Sequence, residues 1–140
     1  MQTQATKHQG DERRFSILSQ SWHADSNLDP ARRAAGEDVA LSVVTLIELA
    51  HGAARADTAE RKTMRRQFLQ ELTTALPVHP VTVPIALRAG QIDGESTAKG
   101  VRIALSDLLI GVTALELGYR VATANVRHFQ MVPGLEIVPL

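Results

Sequence analysis

At 140 residues and 44% hydrophobic, the chain is long enough for one domain with its own core and needs no covalent staple. Zero cysteines exclude a disulfide framework and thiolate metal sites, while 15 basic residues against 15 acidic ones exclude a bulk positive charge, so nucleic acid would have to be met through a local patch. No apolar run reaches the length of a membrane span, and the first residues are polar where a signal peptide needs an apolar stretch, so a cytoplasmic protein is expected.

Residues 1–38 are polar and mixed, an atypical N-terminal segment that reads as disordered or replaced beside a regular domain over 39–140. Within that segment Phe15-Ser16-Ile17-Leu18 is dense enough for a short strand or a helical turn, and Asp29-Pro30 can open a short helix. Order begins at Val39-Ala40-Leu41, a strand, after which Ser42 can cap a helix from Val43 to about Ala54. Asp57-Thr58-Ala59-Glu60 reads as a capping box, and Met64, Phe68, Leu72 and Leu76 follow at four-residue spacing as an inward stripe. Pro77 and Pro80 frame a strand over Val78 to Val83. Pro84 suits the first turn of a helix running from Ile85 to about Gln91 or beyond, into a loop region between Gly94 and Gly100. Ser106 is a good N-cap for a helix that starts at Asp107 and ends at Gly118, with only Thr113 and Glu116 polar between Leu108 and Leu117. So apolar a helix is covered on several sides. Arg120 to Thr123 form a short strand, and Leu135 to Val138 an edge strand after a Pro133-Gly134 turn. Strands alternating with helices make this an α/β domain with a parallel sheet.

Three residues place a metal-friendly oxygen beside apolar sequence: Glu48 in a helix, Asp107 at a helix start and Asn125 just past a strand. Hard divalent cations take oxygen ligands, often one or two carboxylates with water and substrate phosphate, and such a cluster can hydrolyse a phosphodiester. Each residue also has an ordinary reading. Asp107 suits the positive end of a helix dipole, Glu48 can reach the surface or a partner such as His51, and Asn125 is a common turn residue. His51 and His128 lack a second histidine or cysteine at zinc spacing, and Arg61 to Arg66 form a basic helix face that is ordinarily solvated but suits phosphates.

Taken together, Ser42-Val43-Val44-Thr45-Leu46-Ile47-Glu48-Leu49-Ala50-His51-Gly52, then Ser106-Asp107-Leu108-Leu109-Ile110, then Thr123-Ala124-Asn125-Val126-Arg127-His128-Phe129 resemble the PIN-domain ribonucleases, and among them the VapC toxins of bacterial toxin–antitoxin pairs. The resemblance implies a PIN-like parallel sheet flanked by helices, Mg2+ or Mn2+ as cofactor, and hydrolysis of RNA, transfer RNA among the substrates. It implies Asp107 as the principal metal ligand, Glu48 as a metal or water-positioning acid, and Asn125 as a weaker catalytic contact with Thr123 as its companion. A cognate antitoxin protein and a homodimer come with it.

The front of the chain departs from that pattern. The family opens on an apolar strand running into Asp-Thr-Ser or Asp-Thr-Asn, whose aspartate is a metal ligand, and no such stretch stands here. Asp11 has about the family's separation from Glu48 without the strand, and Asp25-Ser26-Asn27 has the look of the motif at too short a separation, so the first ligand is Asp11, Asp25 or absent and the first strand is in question. The expected function is a Mg2+-dependent endoribonuclease toxin, impaired by loss of that aspartate. The alternative is a catalytically inactive PIN-like module that binds an antitoxin or RNA.

Overall fold

The computed structural model describes residues 16–19 and 39–140. Among them β1 (Ser16–Ser19), β2 (Val39–Ser42), β3 (Val78–His79), β4 (Arg120–Thr123) and β5 (Ile137–Pro139) form one sheet in the order β3-β2-β1-β4-β5. Every pairing is parallel. The first strand is therefore Ser16–Ser19, and it lies at the centre, with Ile17 opposite Ala40 on one side and Val121 on the other. Asp11, Asp25 and the Asp29-Pro30 helix lie outside the described residues.

Among the described residues five helices accompany the sheet: α1 (Val43–Ala54), α2 (Ala59–Ala75), α3 (Val83–Ala98), α4 (Leu105–Leu117) and α5 (Val126–Gln130). Their faces close three apolar clusters. Ile17 and Val121 meet Val44, Ile110, Ala114 and Phe129; Ile85 and Ala89 of α3 meet Leu108 and Val112 of α4; and Leu41 and Ala122 meet Leu49 of α1 and Leu72 of α2. Neighbours Val121 and Ala122 thus face different clusters, as expected of strands buried on both sides. No helix among the described residues is long and apolar enough to cross a membrane.

Local chemistry explains most boundaries. Ser42 ends β2 and caps α1, its hydroxyl accepting from Val44 N at 3.1 Å. Gly118 closes α4 at φ 72°, a left-handed position that costs glycine little. Four expectations need correction. Thr58, not Asp57, caps α2, accepting from Arg61 N at 3.1 Å, because Asp57 is taken up by a two-pronged pair with the Arg61 guanidinium. Met64 is exposed, since the inward stripe of α2 meets apolar neighbours only from Phe68 onward. The strand after Pro77 is only Val78–His79, because Thr82 caps α3, which begins at Val83 and runs through Gly94 to Ala98 where a loop was expected. Finally, α4 begins at Leu105, with Ala104 in the cap position and no side-chain cap, so Ser106 lies inside the first turn.

Candidate functional site

From β1 the chain builds outward to β2 and β3, then crosses to the other side of β1 for β4 and β5. In an open parallel sheet the crevice at the carboxyl ends of the strands, where the order reverses, is where ligands sit. The sequence-selected residues come from elements that meet this edge. Helix α1 starts directly from β2 there, and Asn125 follows β4 there. Because α4 runs back to the amino end of β4 across Gly118 and Tyr119, its own amino end, with Asp107, lies at the carboxyl edge too.

Asp107 does no capping. Its Oδ2 lies 3.4 Å from Nδ1 of His128 on α5, and its side chain is only 14% exposed. Burial pushes the carboxyl above its ordinary pKa, and the His128 imidazole opposes that shift by charge and hydrogen bonding. A desolvated carboxylate faced by a single imidazole is electrostatically receptive to a further cation. His128 was discounted from the sequence because the zinc spacing was wrong; its partner is a carboxylate on another helix, which periodicity along one segment does not reveal.

At the start of α1 Ser42 and Thr45 are fully buried, while Glu48, one turn further, is half-buried and reaches the surface. Thr123, at the end of β4, is buried and its hydroxyl accepts the backbone N–H of Asn125 at 2.9 Å. That bond fixes the turn after the strand and leaves Asn125 exposed at its tip. The central strand is described as far as Ser19, and the sequence that follows it, Gln20-Ser21-Trp22-His23-Ala24, carries no acid before Asp25, which lies outside the described residues.

A cage made wholly of protein ligands is missing: among the described residues no three His, Cys, Asp or Glu side chains are grouped to hold a metal. What the donor set does suit is a hard divalent ion that keeps most of its ligands as water and phosphate, with the largely buried Asp107 carboxyl as the group that would anchor it.

Comparison with known proteins fits this arrangement. The PIN domain model matches residues 16–135, from the central strand to the turn before β5. The chain belongs to the PIN-domain family. Among its relatives, the tRNA(fMet)-specific endonuclease VapC of Salmonella typhimurium is 31% identical over 97 residues, covering 69% of this chain and 71% of that protein. Ribonuclease VapC10 of Mycobacterium tuberculosis is 38% identical over 98 residues, covering 70% and 68%. This PIN domain is therefore of the VapC ribonuclease toxin type. In structure it is similar to VapBC-5 of Mycobacterium tuberculosis, with a TM-score of 0.74 at 26% identity over 90% of this chain and 98% of that one. The DNA-bound VapBC of Salmonella typhimurium has the same fold, with a TM-score of 0.74 at 22% identity over 89% and 98%.

Proposed function

We propose that this chain is a divalent-metal-dependent endoribonuclease toxin that hydrolyses RNA at the crevice beside Asp107. The observation that carries this is the desolvated Asp107 carboxylate at the carboxyl edge of the sheet, in a chain whose relatives are VapC ribonucleases. Asp107 would hold Mg2+ or Mn2+, with Glu48 as the second acid. When bound, such an ion neutralises charge on the scissile phosphate and lowers the pKa of water. Glu48 orients the attacking water and receives its proton while the new phosphorus–oxygen bond forms. The ribose oxygen leaves with the electrons of the broken bond and takes a proton from solvent. His128 steadies the Asp107 carboxylate from the side, and Asn125, exposed on its Thr123-anchored turn, contacts the RNA. Where neither Asp11 nor Asp25 supplies the first aspartate, metal affinity is weaker, because fewer ligand charges hold the ion.

By analogy with the VapBC complexes, the partner in the cell is a cognate antitoxin protein, the toxin pairs as a homodimer, and the substrate is transfer RNA in the cytoplasm. A second reading follows from the lack of an Asp-Thr-Ser or Asp-Thr-Asn motif after Phe15-Ser16-Ile17-Leu18 in the sequence: a catalytically inactive PIN module that only binds antitoxin or RNA. Incubating purified protein with total transfer RNA, with Mn2+ or with chelator, separates the two. Metal-dependent fragments support the nuclease; intact RNA with a folded protein and saturating metal supports the binding module.

A further inference from the structure

Away from the acidic crevice, the hairpin of α1 and α2 carries a concentration of positive charge that the fold does not use. Between Arg55 and Arg66 stand five cations against two carboxylates, in a chain whose formal net charge is zero. Arg61 is neutralised by Asp57 at 2.7 Å, and Arg65 donates to the Gly52 carbonyl at 2.8 Å, where a cation suits the carboxyl end of α1. Arg55, Lys62 and Arg66 have no ion-pair partner among the described residues. Arg55 and Arg66 are exposed and Lys62 is half-buried.

Local energetics disfavour this placement. Lys62 and Arg66 are like charges one turn apart, as are Arg61 and Arg65, and both pairs repel. Lys62 also follows the first turn of α2, the end of a helix where positive charge is least welcome. An external anion would offset all of these terms together. Arg55 follows α1 directly as its C-cap, seven residues after Glu48, and Arg65 of α2 is bonded to Gly52 of α1, so the positive hairpin adjoins the end of the helix that carries the proposed acid.

We propose that Arg55, Lys62 and Arg66 form a track for the phosphates of single-stranded RNA, holding substrate that extends from the crevice along α1 to the hairpin. The inference rests on the ribonuclease reading and deepens it. Phosphate contacts of this kind give affinity without sequence choice and are paid out against salt.

The test is fluorescence anisotropy of a labelled single-stranded RNA of about twelve nucleotides with the full chain, in chelator so that nothing is cut. The variants are Lys62→Gln with Arg66→Gln, and Lys62→Arg with Arg66→Lys as the charge-retaining control; circular dichroism checks their folding. Loss of two phosphate contacts predicts affinity lower by about tenfold and a log–log salt slope shallower by about 1.4, between about 50 and about 200 mM salt, with the control like wild type. Unchanged affinity and slope in the glutamine variant, while the wild type binds RNA, overturns the track and leaves the nuclease reading intact. Normal RNA binding with weakened antitoxin binding also overturns it, assigning the face to an acidic protein segment. A wild type that cuts transfer RNA in metal but loses no RNA affinity in high salt overturns the track as well.

Discussion

At the scale of the residue, Asp107 sets stability against function. Its folded pKa lies above the unfolded value of 3.8, so over a window above that value the folded protein keeps a proton the unfolded chain has lost. Stability therefore falls as pH rises through the window and stays lower above it. Asp107→Asn should raise the melting temperature at neutral pH while lowering RNA cleavage by about 100-fold or more, and the thermal gain should vanish below the unfolded pKa. Thermal melts across pH check the first part and fragment yields the second. The same variant tests the metal: Mn2+ should raise the melting temperature of the wild type as its concentration exceeds the dissociation constant, and Asp107→Asn should lose that response. From sequence, Asp107 was readable as a dipole residue or a ligand, and it does stand in the first turn of α4, with its side chain turned to His128 rather than capping the helix. His128 itself was illegible as a partner, since only the tertiary fold brings α5 to the first turn of α4.

Among the elements, β1 shows why a short polar segment can be the centre of a sheet. Between its two parallel neighbours Ile17 is fully buried against Val44, Ile110 and Phe129, although serines flank the strand in sequence. Ile17→Ala should cost about 2–5 kcal/mol in denaturant unfolding. Gly118→Ala, forced to φ 72°, should cost about 1–2 kcal/mol by strain alone. The sequence was legible wherever a local rule decided the outcome, as with Ser42 capping α1 and Gly118 ending α4. It was less legible where tertiary contacts decided. Gly94 does not break α3, whose buried Ile85, Ala89 and Ser96 hold it on both sides of the glycine, and Met64 keeps the helical spacing of a core residue but lies where nothing packs on it.

For the whole molecule, the order of the strands matters most. By placing β1 between β2 and β4, the fold brings the start of α1, the start of α4 and the turn after β4 to one edge, so the elements that carry Glu48, Asp107 and Asn125 meet at that edge of the sheet. Three separated motifs resembling one family made the fold readable in the sequence, whereas the central strand was legible only as the dense Phe15-Ser16-Ile17-Leu18, without an Asp-Thr-Ser or Asp-Thr-Asn motif after it. The identity of the first acid, Asp11, Asp25 or neither, bears on catalysis rather than on the fold. One measurement addresses that directly: cleavage of transfer RNA by wild type and Asp107→Asn at equal concentration, in Mn2+ and in chelator, with both proteins shown to be folded. The account predicts fragments from the wild type in Mn2+ alone. Equal cutting by Asp107→Asn, or cutting that persists in chelator, would contradict it.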